Sequence, residues 1–355
     1  MKTSINAVAG LVLMALVFAA PAVQAQDSGS TTIGKTTITV GSGVTFLSLP
    51  DAESMVTRGP NNGLIRFPVY ETYEFSDDFE ETGWNVNGSV AVPVDWMTFS
   101  LNGFWARFKN RDSFLAVPQA GEVVVIAPLV DNPAIQQVQG DIPPGYIRAD
   151  AEREVDQWGG ALEMKWGLDT SFADWNLAVG IDVRGIYQEL DADMFGTWAT
   201  GYVVSYREDL DTTYSGAYLA WGGDYAPFLS ESWDLEAMFL LRGGVYYAYT
   251  KYEGDLTNSG NIIFGGGDPT SSLSLSSDDA AFIGGITLGV RKRLGTRAIL
   301  SLEGGYEYYS FVPRMDYNTA DQGPFSVTAG REFGTSIESD DGYSLSGVLR
   351  LTIEL

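Results

Sequence analysis

The chain ends on YSLSGVLRLTIEL, Tyr343 to Leu355. Tyr343, Leu345, Gly347, Leu349, Leu351, Ile353 and Leu355 are apolar or glycine, and the residues between them, Arg350 and Glu354 included, are mostly polar. A period of two puts one greasy face and one polar face on a β-strand. Termini are ordinarily frayed and polar. A chain that stops inside such a strand, on a leucine, calls for a partner strand that holds its last residues.

The other end says where that partner lies. Lys2 precedes AVAGLVLMALVFAA and then PAVQA. This is a charged start, an apolar run and a small-residue cleavage site, placed after Ala25. The run is short for a spanning helix, which needs about 20 apolar residues, and the polar QDSGSTT follows it. Residues 1–25 are therefore expected to be a signal peptide, residues 26–60 an N-terminal extension or an extra hairpin, and residues 61–355 the folded body.

Composition excludes several classes. The formal charge is −25, from 46 acids against 21 bases. Nucleic-acid phosphates need Lys and Arg, so no nucleic acid is expected as a partner. Aromatics at 13% are too many for an acidic disordered chain. There is no Cys, and no later apolar run reaches the length of a membrane helix.

Alternation recurs through most of the remaining chain. Ala173 to Gln188 puts Trp175, Leu177, Val179, Ile181, Val183 and Tyr187 on one face, with Asn176, Asp182, Arg184 and Gln188 on the other. Trp233 to Thr250 sets Trp233, Leu235, Phe239, Leu241, Val245, Tyr247 and Tyr249 against Asp234, Glu236, Arg242 and Tyr246. Segments 83–92, 97–105, 158–169, 281–293 and 296–309 follow the same rule, whereas SGAYLAWGG around Trp221 has aromatics on both faces. Short connections near residues 93–95, 170–173, 227–232 and 295 alternate with long acidic ones over 109–156, 189–210, 253–278 and 313–341. Outer-membrane barrels show that asymmetry, with short periplasmic turns and long external loops.

The fold expected is all-β: a transmembrane, antiparallel, up-and-down β-barrel. Nine strands run from Gly83 to Leu355, and both termini on the periplasmic side require a tenth. Leu64–Phe75 is the candidate, weakened by Pro68. Thr36–Leu49 could add a hairpin, for twelve strands, or lie as an extension or a segment in the lumen. In a closed barrel the final strand pairs with the first, which explains the ending on Leu355. Trp175 to Tyr187 spans 12 steps, a rise of about 30 Å at a tilt near 40°, close to an apolar band of about 25 Å with its girdles. Aromatics gather at two levels: Trp166, Trp175 and Trp233 near the short turns, and Trp158, Tyr187 and Tyr247, with Trp84 and Trp105, near the long loops. Rings with an N–H or O–H prefer that interface.

The layout resembles the outer-membrane β-barrel proteins of Gram-negative bacteria over most of the mature chain, in its leader, alternating strands, belts and C-terminal strand. The resemblance implies surrounding lipid and lipopolysaccharide, and the barrel-assembly machinery as a partner during biogenesis. Such chains usually close on an aromatic residue, commonly Phe, whereas this one closes on Leu355. It implies no narrower family and no oligomeric state.

The chain has no His. Barrel enzymes of that membrane, such as omptin-like proteases, phospholipases and lipid A modifiers, characteristically use one. Without His or Cys the usual nucleophilic and soft-metal sites lose their members, so no enzyme activity, cofactor or metal is expected. DADMFG and GDLTNSGN lack the regular ligands of a calcium loop. The charges of the inward face are the candidate functional set: Glu163, Lys165, Asp182, Arg184, Glu236, Arg242, Glu303 and Arg350. They either line a pore that selects ions or small solutes or fill a narrow barrel as ion pairs. The expected function is a porin-like passive channel favouring cations. The alternative is a plugged barrel whose acidic loops, such as Asp150–Asp156, bind a partner. The apolar EVVVIAPLV, Glu122 to Val130, could fold inward, extend the barrel or form an adhesive patch.

Overall fold

The computed structural model describes residues 35–50, 53–60, 71–75, 81–117, 122–126, 137–140, 146–169, 174–196, 202–229, 235–258, 270–318 and 334–355. Its strands are β1 (Thr37–Ser48), β2 (Glu53–Pro60), β3 (Glu71–Glu74), β4 (Glu81–Val94), β5 (Met97–Ala116), β6 (Glu122–Ile126), β7 (Gln137–Gly140), β8 (Ile147–Asp169), β9 (Asp174–Gly196), β10 (Tyr202–Leu229), β11 (Leu235–Asn258), β12 (Thr270–Leu294), β13 (Ala298–Asn318) and β14 (Gly334–Glu354). Ten close into a barrel in the order β1-β14-β13-β12-β11-β10-β9-β8-β5-β4. Every pairing around the ring is antiparallel.

The count is the one expected, but the first strand is different. It is β1; of the expected Leu64–Phe75, residues 64–70 lie outside the described residues. Ile38, Val40, Val44 and Phe46 alternate along β1, which pairs over its length with β14 (Thr37↔Glu354 to Ser48↔Tyr343) and with β4 (Thr37↔Ala91 to Leu47↔Glu81). The barrel thus begins inside the segment expected to be an extension. Glu71–Glu74 belongs instead to a second, four-stranded sheet ordered β3-β2-β6-β7. The expected signal peptide, residues 1–25, lies outside the described residues.

The ring explains the C-terminus. Leu355 N–H donates to Thr36 O at 2.9 Å and Glu354 N–H to Arg297 O at 2.8 Å. The Glu354 carboxylate takes Lys35 and Arg293, each at 2.9 Å. At the same end β4 turns into β5 through Asp95–Trp96, with Val94 facing Met97 and Asp95 at φ 53°. Between β12 and β13 Gly295 takes φ 74°, a left-handed conformation that glycine adopts without Cβ strain.

At the other end the strands run on. β9 has 23 residues, which at about 3.3 Å each and a tilt near 40° rise about 55 Å, well beyond a bilayer core of about 30 Å. Most of the described residues in the stretches expected to be long acidic loops are therefore strand: 109–116, 147–156, 189–196, 202–210, 253–258 and 270–278 are all paired.

The two faces exchange polarity where the strands leave the membrane. In the lower half the outward residues are apolar and open: Val40, Leu162, Ile181, Leu219 and Val245 are 50–70% exposed. Tryptophan pairs mark its edges. Trp96 stacks on Trp166 at 6.3 Å and Trp175 on Trp221 at 5.1 Å near the short turns, while Trp84 meets Trp105 edge-on at 4.8 Å above. An exposed apolar band between two aromatic levels on a closed barrel is a membrane-spanning surface. Above Trp158 the outward residues of β8 become Asp156, Glu154, Glu152 and Asp150, and the inward ones Val155, Ala151, Ala149 and Ile147 are buried. In β9 Tyr187, Glu189, Asp191 and Asp193 face out while Ile186, Leu190, Ala192 and Met194 face in. The upper half is packed like a water-soluble barrel, because solvent has replaced lipid outside it.

Candidate functional site

The lumen contains three layers. Lowest is a polar cavity of about 480 Å³. Of the eight charges expected on the inner wall, Glu163, Lys165, Asp182, Arg184, Arg242 and Arg350 line it. Glu236 and Glu303 reach its wall through partners: Glu236 pairs with Arg291, and Glu303 forms an ion pair with Arg350 Nη1 at 2.9 Å and accepts a hydrogen bond from Ser301 at 2.9 Å. The wall formed by β1, β4 and β5 carries no charge in the cavity, only small and neutral side chains such as Thr39, Thr45, Asn85, Asn87, Ser89 and Asn102.

The middle layer is a buried network. The Asp182 carboxylate accepts from Arg184 Nε, from Arg242 Nη2 and from Tyr246 Oη at 3.1 Å. Arg184, 3% exposed, also pairs with Glu307 at 2.6 Å. Tyr309 Oη donates to Glu307 at 2.7 Å and accepts from Gln157 Nε2 at 2.6 Å. Arg242 lies over the Tyr218 ring at 3.7 Å, and Tyr218 Oη donates to Glu163 at 2.9 Å. Each carboxylate therefore meets a cation or a hydroxyl, which a charge buried at membrane depth requires.

Above the network the lumen is mainly apolar, with Arg153, Gln188, Glu208, Thr212 and Thr250 buried and hydrogen-bonded among the rings. Phe108, Val155, Ile186, Tyr214, Tyr246, Ile283, Tyr309, Phe311 and Val312 form one buried cluster with Leu47 and Leu49. Higher still, Ile147, Leu190, Met194, Val204, Tyr206, Tyr252 and Leu256 form another, joined by Val56 of β2 and by Phe75. Tyr214 donates to Phe311 O at 2.8 Å, and Arg153 reaches Pro50 O at 3.4 Å, tying the segment after β1 into the core.

No family model matches the chain, and no curated protein sequence matches it. Solved structures of similar layout are outer-membrane proteins. The outer membrane protease OmpT from Escherichia coli is 10% identical, covers 93% of this chain and 99% of its own, and gives a TM-score of 0.43. The translocator domain of the autotransporter NalP from Neisseria meningitidis is 9% identical, covers 100% and 97%, and gives 0.35. The toluene transporter TodX from Pseudomonas putida is 7% identical, covers 90% and 89%, and gives 0.26.

The outer face of the extension carries a ladder of charge. Arg107, Lys109 and Arg111 on β5 stand beside Glu154 and Glu152 on β8, with Lys109 Nζ 2.7 Å from Glu154. Hydrogen bonds from Lys109 and then Arg111 hold the Glu152 carboxyl below its usual range. Glu189 moves the other way: burial raises it first, and Asp209 and Asp191 add to that against the pull of Arg207.

Of the aromatic residues expected in the girdles, Trp166 and Trp175 sit in the lower belt, and Trp158, Tyr187 and Tyr247 at the upper one. Trp233 lies outside the described residues. Tyr187 donates to Asp209 at 2.7 Å, where lipid gives way to water. Sequence reasoning missed Trp96 and Trp221 in the lower belt. It also missed Tyr214, Tyr218, Tyr309 and Gln157 inside. Their inward phase was legible, but a tyrosine on the polar face reads as a polar residue until the layer around it is known.

Proposed function

We propose that this chain is a sealed outer-membrane barrel that works through its extracellular extension, as a surface-interaction protein rather than a porin. The observation that carries the reading is the double apolar layer across the lumen. Tyr214, Tyr252, Tyr309, Phe108, Ile186, Met194 and Ile283 are each under 2% exposed, and a barrel of about this size has room for little beyond its own side chains. The membrane-depth charges then serve as a structural network. The extension, by contrast, presents paired strands with a charged outer wall, in which Asp150, Glu152, Glu154, Asp156, Glu189, Asp191, Asp193 and Asp209 outnumber Arg107, Lys109, Arg111, Arg148 and Arg207, facing the lipopolysaccharide layer and any partner there. With no His in the chain and its buried carboxylates held by cations and hydroxyls, we infer binding rather than catalysis.

The test is single-channel recording of the refolded mature chain in a planar bilayer. Silence from a correctly folded barrel is expected. Discrete conductance steps would overturn the seal. The passive channel is kept as a second reading by one observation, the polar cavity below the seal. Its lining carries five bases (Lys165, Arg184, Arg242, Arg291, Arg350) and three acids (Glu163, Asp182, Glu307), so a channel opened along it would not owe cation preference to the lumen.

A further inference from the structure

The lower cavity has a feature that neither the seal nor the ion-pair network uses. Arg184, Arg242, Arg291 and Arg350 each contact a carboxylate. Lys165, which also lines the cavity, has no carboxylate within 4 Å among the described residues. Lys165 lies at the level of the lower belt, beside Trp166 and opposite Thr98 near the β4–β5 turn, and faces the cavity at its mouth. Membrane cations that face a water-filled cavity mark ligand or ion pathways. The missing carboxylate is the more notable in a chain of formal charge −25.

The neighbours of Lys165 leave it room. The register runs Lys165↔Ala178, Ala178↔Ala220 and Ala220↔Arg242 across β8, β9, β10 and β11. Two alanines thus separate two basic side chains on one inner row, and the second, Arg242, keeps 22% of its side chain exposed. One step lower, Asn176 lies opposite Gly167 on one side and Gly222 on the other. A methyl group built on Gly167 would meet nothing within 4 Å. Lys165, Asn176, Ala220 and Arg242 therefore border one bay of a cavity whose volume falls in the range of small-molecule sites.

We infer that this bay is a binding site for a small oxyanion, of the carboxylate or phosphate class, entering from the short-turn end. Lys165 supplies the unspent charge and the Asn176 amide a neutral donor, while Arg242, whose guanidinium is held by Asp182 and the Tyr218 ring, adds its field across the alanines. The apolar seal above confines the ligand to the lower lumen, so the site captures and does not conduct. The inference does not depend on the extracellular role, because it concerns the opposite end of the barrel.

The experiment uses the full mature chain, folded in detergent micelles and checked by its heat-modifiable mobility on a gel. Inorganic phosphate and citrate are titrated separately by isothermal titration calorimetry. Saturable 1:1 binding of at least one is expected, and which one binds separates the two ligand sources. Lys165→Gln should weaken binding at least tenfold, and Lys165→Arg should keep most of it. Lys292→Gln, which removes an exposed base on the outer face near the same end, should change nothing. Should Lys165→Gln fail to fold, amine acylation of the wild-type chain decides the matter: the binding anion must slow labelling of Lys165 and not of Lys292. The inference fails if neither anion binds the wild-type barrel saturably, if Lys165→Gln binds as tightly as wild type, or if Lys165 is not protected.

Discussion

Asp182→Ala tests the middle layer directly. Asp182 is 3% exposed and accepts from Arg184, Arg242 and Tyr246. Removing one partner of a buried ion pair costs about 3–5 kcal/mol, because the other charge is left uncompensated. Two features place this case at the low end. Arg184 keeps Glu307 at 2.6 Å, and Arg242 keeps the Tyr218 ring at 3.7 Å. A loss of about 3 kcal/mol is expected, roughly a 150-fold shift in the folding equilibrium. Urea unfolding in phosphatidylcholine vesicles, followed by tryptophan fluorescence, measures it. Asp182→Ala combined with Glu307→Gln should be strongly non-additive, since both carboxylates serve Arg184. The same variant should stay silent in a planar bilayer, because the apolar layers above are untouched. A stability loss under about 1 kcal/mol would refute the network as a structural element, and a conducting Asp182→Ala would refute the division of labour between network and seal.

Tyr214→Ala removes a fully buried ring that packs 6.0 Å from Tyr309; it should cost about 3–5 kcal/mol and, unlike Asp182→Ala, admit small ions, which bilayer recording would show. Glu189 has its carboxyl raised, chiefly by burial, so the folded state holds that proton more tightly than the unfolded one. Its contribution is fully present below the ordinary carboxylate value and is lost as pH rises through the raised folded value. Acidification through that window should therefore stabilise wild type relative to Glu189→Gln, a pH-dependent difference that a series of urea midpoints for both chains would show. Leu355→Phe restores the usual aromatic ending at an outward, 64% exposed position; it should raise the yield of folded barrel in an assembly assay with the barrel-assembly machinery and leave the urea midpoint nearly unchanged.

Alternation made the lower half legible. A lipid-facing strand must be apolar on one face over its whole span, and the phase that set Leu177, Val179 and Ile181 outward also set Asp182 and Arg184 inward. The same logic resolves SGAYLAWGG, where Tyr218 faces in and Trp221 out. The upper half was misread because its phase is reversed. In the stretch from Ala149 to Val155, Ala149, Ala151 and Val155 are apolar on the face that is polar below, with the buried Arg153 interrupting the run, so a search for one continuous greasy face ends at Trp158. The first strand was missed for a different reason. Chain order pointed to the segment just before Gly83, whereas the link from β1 to β4 is a long excursion at the extracellular end that carries β2 and β3. The seal was illegible because tyrosine suits either face, and only the assembled layers show which rings meet.

The exchange of faces along each strand also fixes sliding. In a strand that simply alternates, a slip of one residue is forbidden because it turns every side chain over, but a slip of two keeps both faces and is opposed only weakly. Here a two-residue slip, about 6.6 Å along the strand, would move the crossover point of one strand past those of its neighbours. On β8 a downward slip would carry Asp156 to the level of Trp105 and lower Val155 toward the arginines, and an upward slip would raise Trp158 to the level of Arg107. The crossover acts as a vernier mark scribed once on each strand, and the ladder of ten locks only where the marks line up.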